Sequence, residues 1–112
     1  MRENRIVLTW ESLYDVTDIA DYIEMDFGID RATKFQLDMQ QEFSKLKYTG
    51  SIFRKTNLLY RNYYIRMKLF SPSIIFYILD DEEKQISVLR VLREEQDWEN
   101  ILRNNQDYTF PS

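Results

Sequence analysis

The stretch "YYIRMKLFSPSIIFYILDDEEKQISVLRVLREEQDWENIL", residues 63–102, decides the fold. Its first part, "YYIRMKL" (63–69), alternates, with Ile65, Met67 and Leu69 on one face and Tyr64, Arg66 and Lys68 on the other. The other face is expected to point to solvent, so that Ile65, Met67 and Leu69 carry the packing. "IIFYIL" (74–79) is an unbroken apolar run, as in a central strand covered on both sides. "QISVLRVL" (85–92) is the last strand, and its Val88, Leu89, Val91 and Leu92 suit a pleated, mostly buried surface. Pro72 marks the first turn. "DDEEK" (80–84) is the second, an acidic and solvated one; four consecutive acids at a hairpin tip do not easily converge on a metal without other ligands. In "REEQDWENIL" the residues Trp98, Ile101 and Leu102 share one face of a short helix that packs on the sheet. Glu94, Glu95 and Asp97 suit its first turn, where the macrodipole favours negative charge by about 0.3–1 kcal/mol per group.

Upstream, "RIVLTW" (5–10) reads as a first strand with Ile6, Leu8 and Trp10 on one face. From Glu11 to Phe27, Leu13, Val16, Ile19, Ala20 and Ile23 recur every three or four positions, an amphipathic helix that Gly28 ends in a left-handed cap. Asp30 is placed to cap a second helix, whose stripe is Ala32, Phe35, Met39, Phe43 and Leu46 before Gly50 closes it. Residues 51–62 read as a loop with room for an irregular strand. The expected fold class is α+β: an antiparallel sheet of about four strands, two N-terminal helices on one face, and a short C-terminal helix, in the order β-α-α-β-β-β-α. Both long helices must share a face, because their stripes have nowhere else to be buried, and the opposite face is left at least partly open.

The chain has 112 residues, 44% hydrophobic and 15% aromatic, which is material for one core and one domain spanning 1–112. No apolar run approaches the roughly 20 residues that cross a bilayer, and "MRENRIVLTW" lacks the pattern of a secretory signal. The absence of cysteine fits a cytoplasmic protein. With no His or Cys, the Ser-His-Asp and Cys-His arrangements and the common zinc sites are excluded. Two glycines cannot build a glycine-rich phosphate cradle. No metal or cofactor is expected, and any catalysis falls to Lys, Arg, Tyr, Asp, Glu or a hydroxyl.

Charge is unevenly placed. The net charge is −4, but residues 1–43 hold four Lys/Arg against ten Asp/Glu, residues 44–79 hold seven against none, and residues 80–112 hold four against nine. A basic central block in an acidic chain suggests a polyanion or an acidic partner, or else internal balance between neighbouring elements.

Order and motifs together resemble the RelE/ParE superfamily, the toxins of bacterial type II toxin–antitoxin modules of the plasmid-stabilisation type. "SLYDVTDIADYIEMDFG" resembles the family's first helix, with Asp, Ile and a Tyr-Ile pair before Gly. "DRATKFQLDMQQEFSKL" has the Ala, Phe and closing Leu of its second. "IRMKLFSPSIIFYILDDEEKQISVLRVLREEQDWENIL" resembles its strand pair, final strand, turn and Asp-aromatic helix. The resemblance runs from about Ile6 to Leu102.

This resemblance implies a growth-inhibiting toxin with a cognate antitoxin, and it leaves the target open. RelE-like members are metal-independent nucleases that cut messenger RNA on the ribosome with Lys, Arg and often Tyr or Glu. ParE-like members bind and poison DNA gyrase without catalytic residues of their own. A degenerate member would do neither. For a nuclease, the resemblance implies Arg66, Lys68 and Arg93 as catalytic residues. Arg66 and Lys68 match the basic pair of the RNA-facing strand, one residue apart on one sheet face. The next strand offers Ser73, Ile74 and Ile75 where the nucleases carry an Arg, and Glu94 and Glu95 follow Arg93 at once. The nucleases' terminal Tyr is replaced by Trp98 or the distant Tyr108. Acids beside a scissile phosphate oppose polyanion binding, so the ParE-like, non-nucleolytic reading is the closer match. Arg54, Lys55, Arg61, Arg66 and Lys68 are the candidate residues for nucleic-acid or target binding. Tyr14, Phe27, Leu37 and Tyr48, apolar residues off the helix stripes, are the candidates for antitoxin contact.

Overall fold

The structure is a computed structural model and describes residues 3–111. Its order is β1 (Arg5–Leu8), α1 (Trp10–Phe27), α2 (Ile29–Thr49), β2 (Lys55–Tyr60), β3 (Tyr63–Phe70), β4 (Ser73–Asp80), β5 (Gln85–Arg93) and α3 (Trp98–Asn104). One sheet runs β1-β5-β4-β3-β2.

Two features of the sheet differ from the sequence expectation. Residues 55–60, within the stretch read as a loop with room for an irregular strand, form edge strand β2, which pairs antiparallel with β3 through an irregular register. The sheet therefore has five strands. It is also mixed, because β1 lies parallel to β5, with Ile6 opposite Ile86 and Leu8 opposite Val88. The meander β2–β5 starts at the far edge, and its last strand arrives beside β1 running the same way. Alternation within a strand carries no information about that neighbour.

Helices α1 and α2 form a hairpin through the single residue Gly28, whose φ of 94° is a conformation that side chains disfavour. Gly28 itself precedes α2 with no side-chain cap, so Asp30 sits in the first turn rather than at the cap. The predicted stripe of α2 is buried from Ala32 to Leu46, against Ile75, Tyr77, Ile86, Val88 and Val91 of the sheet. Gly50 is needed for a close approach: a Cβ there would overlap the Ile86 side chain. Its carbonyl accepts a 2.6 Å hydrogen bond from the buried Tyr77 hydroxyl.

The start of α1 also completes the sheet. Strand β1 stops at Leu8 while β5 runs on to Arg93, so the β5 backbone needs other partners. The Thr9 N–H donates to the Val88 carbonyl at 3.1 Å, and its hydroxyl donates to the Leu89 carbonyl at 2.8 Å while accepting from the Ser12 N–H at 3.0 Å. Asp15 accepts the Val91 N–H at 2.9 Å.

The second face of the sheet, expected to stay partly open, is covered by α3 and residues 105–110. Leu102 and Tyr108 pack with Leu58, Ile65, Phe76, Leu89 and Leu92. The segment is fastened to α1: Thr109 donates its N–H and its hydroxyl to Glu11, both at 2.8 Å, and its carbonyl accepts the Trp10 N–H at 2.9 Å. Nothing periodic in residues 105–110 announces this cover. Trp98, Ile101 and Leu102 pack as expected, but Glu94 and Glu95 lie in a turn ahead of α3, which begins only at Trp98. Among the described residues no helix is long and apolar enough to cross a membrane.

Candidate functional site

Strand β3 holds the cations that a nuclease would need, and they do not face solvent together. Arg66 lies opposite Tyr77 and Lys68 opposite Ile75, and both partners belong to the core beneath the helices. Lys68 is 8% exposed, is hydrogen-bonded to Glu42 of α2, and places its Nζ 5.4 Å from the centre of the Phe53 ring. Arg66 donates to the Phe53 carbonyl at 2.8 Å and to the Ser51 carbonyl at 3.3 Å. The expectation of a polar, solvent-facing side is thereby corrected. Lys68 fastens β3 to α2, and Arg66 holds the loop ahead of β2. Glu42 also meets Lys45 at 2.8 Å. Burial pushes the Glu42 carboxyl up, but its bonds to Lys45 and Lys68 outweigh that and hold it below the usual glutamate range. Ile65 and Met67 do pack, on the opposite face, while Leu69 is exposed.

Arg54, Lys55 and Arg61 are exposed along the β2 edge. The Lys55 Nζ sits 5.6 Å from the Tyr64 ring and the Arg61 guanidinium 5.1 Å from the Tyr60 ring. Leu59 and Tyr64 are exposed beside them. This edge is cationic and partly aromatic, and Arg66 and Lys68 turn away from it into their own bonds.

Arg93 lies elsewhere, at the end of β5. Its guanidinium stacks 5.0 Å from the Tyr22 ring and pairs with Glu95 at 3.2 Å. It borders a cleft of about 470 Å³ between the tip of the α1–α2 hairpin and the β3–β4 turn. Ile19, Ile23, Phe35, Phe70 and Pro72 supply apolar lining, and Arg31, Lys34 and Arg93 supply the cations. Phe27 also lines this cleft, with the Arg31 guanidinium 4.9 Å from its ring. The other antitoxin candidates fall apart from it. Tyr14 stacks on Trp10 at 6.3 Å, Leu37 borders a groove between α1 and α2 with Leu13 and Val16, and Tyr48 is exposed near the end of α2. Of the sequence-derived candidates, only Phe27 and Arg93 line the cleft together.

Sequence reading missed Tyr22, Arg31 and Lys34, although Tyr22 belongs to the Tyr-Ile pair of the first helix. It also missed Asp15, which takes two bonds from Arg90, at 2.7 and 2.9 Å, besides the Val91 N–H. Burial pushes the Asp15 carboxyl up, and Arg90 and the Val91 N–H only partly offset that. The Arg90 guanidinium is raised by its bond to Asp15. The signal was there in part, since Ser12, Asp15 and Ile19 share a face of α1.

Residues 6–98 match the family model described as the ParE toxin of the type II toxin–antitoxin system parDE. No individually curated protein matches the chain. Among solved structures, a chain of the chromosomal ParDE TA system from P. aeruginosa is similar, with a TM-score of 0.68 and 18% identity over 83% of this chain and 98% of that one. At that identity the likeness speaks for the fold.

Proposed function

Since the chain belongs to the ParE toxin family of type II toxin–antitoxin systems, we propose that it inhibits bacterial growth by binding DNA gyrase rather than by cutting messenger RNA, and that a cognate antitoxin neutralises it. The observation that supports this reading is the placement of Lys68. A general acid or an electrostatic stabiliser must reach the reacting phosphate within hydrogen-bond distance, and Lys68 is buried against Glu42 beneath α2. Arg66 is committed to two backbone carbonyls, and Arg93 lies at a separate cleft. Of the candidate cations read from the sequence, Arg54, Lys55 and Arg61 are left exposed on the β2 edge, a surface suited to an acidic or polyanionic partner.

The ribosome-dependent nuclease remains the second reading, and one observation favours it. Arg93 holds a guanidinium beside the phenol ring of Tyr22 and the carboxylate of Glu95, residue types those nucleases use. Induced expression separates the two. Growth should stop and resume when the adjacent small gene is co-expressed. Plasmid supercoiling should fall, or gyrase become trapped on DNA, while the ends of translated messages stay unchanged. Codon-linked cuts within minutes of induction would reverse the ranking, and normal growth at high soluble expression would leave a degenerate member.

A further inference from the structure

We propose that the cleft between the α1–α2 hairpin tip and the β3–β4 turn seats one anchor of the antitoxin: a large apolar side chain accompanied by a single carboxylate. This rests on the reading that a cognate antitoxin is the partner, and it assigns that partner's chemistry and its seat.

The floor and walls are apolar and already shaped. Ile19, Ile23, Phe35 and Phe70 line the cleft, the Phe35 and Phe70 rings lie 6.5 Å apart, and Phe27 is 59% exposed at its side. At about 470 Å³ the cleft falls within the roughly 300–1,000 Å³ typical of pockets that bury small ligands. An exposed aromatic above a concave apolar surface is the arrangement of an interface anchor site.

The charges narrow the occupant. Three cations and two carboxylates line the cleft. Lys34 is paired with Asp38 at 2.7 Å, and Arg93 with Glu95 at 3.2 Å. Among the described residues Arg31 is in no ion pair, and its guanidinium rests on the Phe27 ring. One uncommitted guanidinium fits one carboxylate, through a charge-assisted and potentially bidentate bond. A nucleic-acid strand would instead carry successive phosphates past Asp38 and Glu95, and past Asp15 and Asp18 in the groove adjoining Tyr22 and Arg93. The net positive charge of one is too small for a polyanion and sufficient for a single acid on an apolar body. The match to an acidic group is local, at Arg31, rather than spread over the surface.

The test is calorimetric titration of the full chain with the purified small protein encoded by the adjacent reading frame. Phe27→Ala and Arg31→Glu should each weaken binding by about tenfold or more, as expected for losing an anchor contact or one charge-assisted bond. Glu99→Gln and Asn104→Ala, exposed on α3 and outside the cleft, should leave the affinity within about threefold. Both Phe27 and Arg31 are exposed, so the melting temperature should move by no more than about 2–4 °C. An acid-to-amide change at one carboxylate of the antitoxin should match the loss caused by Arg31→Gln, and the two should not add. Unchanged affinity for both cleft variants, with the wild type binding normally, would overturn the cleft and leave the antitoxin reading standing. Failure of the wild type to bind at all overturns both. If Arg31→Glu abolishes single-stranded RNA binding while antitoxin affinity holds, the cleft belongs to a polyanion and the proposal is wrong.

Discussion

Lys68 and Glu42 form a bond between β3 and α2 that is nearly closed to solvent, so replacing Lys68 tests packing before it tests function. Lys68→Ala leaves the mostly covered Glu42 with only the surface cation Lys45 to answer it. The expected cost is about 2–3 kcal/mol, between the loss of one charged hydrogen bond and the rupture of a fully buried pair. Replacing both partners with apolar residues, Lys68→Met with Glu42→Leu, should cost less than Lys68→Ala alone; denaturant unfolding of the three variants checks the order. The same pair sets a pH dependence. The Glu42 carboxyl is depressed in the folded chain, so its contribution is present above the ordinary glutamate value, about 4.3, and is lost as the pH falls below it. The melting temperature of the wild type should therefore fall more steeply below about pH 4.3 than that of Glu42→Gln. Equal slopes would mean that the pair adds no stability.

At the scale of the element, the junction of β1 and α1 shows how one side chain serves a helix and a sheet. Thr9 caps α1 and also satisfies the β5 carbonyl that β1 no longer reaches. Thr9→Ala removes the cap, worth about 0.5–2 kcal/mol, and strands a buried acceptor at Leu89. The expected loss is about 2–3 kcal/mol. Thr9→Ser keeps both bonds and should recover most of it. A loss under about 0.5 kcal/mol in Thr9→Ala would show that water replaces the hydroxyl at the β5 edge.

Across the whole molecule, the last segment of chain closes the second core. Residues 105–110 lay Tyr108 and Phe110 on the sheet, and Tyr108 meets the Tyr60 ring edge-on at 5.2 Å. Among the described residues the buried Tyr60 and Tyr108 hydroxyls have no hydrogen-bond partner, and burial pushes the Tyr108 phenol up to about 12. Burying each such group unpaired costs about 1–3 kcal/mol. Tyr108→Phe should thus be neutral or stabilising, whereas Tyr108→Ala should cost about 3–5 kcal/mol through the cavity it leaves. Thermal unfolding of the pair separates the ring from the hydroxyl; destabilisation by Tyr108→Phe would mean that the hydroxyl does find a partner.

Local pattern was enough for the order of elements, for α1 and α2 nearly to the residue, for the buried stripe from Ala32 to Leu46, and for the family. The elements and the stripe follow from a periodicity of two or 3.6 residues, which neighbours along the chain express by themselves; the family came from the resemblance of motifs in their order. The pairing of β1 with β5, the bounds and edge position of the strand at 55–60, the covered second face and the role of Lys68 came only with the tertiary structure. Alternation in "YYIRMKL" says that Arg66 and Lys68 share a face but not what lies over it, and here Glu42 of α2 lies over it. The cleft is likewise assembled from Tyr22, Phe27, Arg31, Phe70 and Arg93, contributed by α1, α2, β3 and β5. Their convergence depends on contacts between segments far apart in the chain, and a one-dimensional pattern does not contain those contacts.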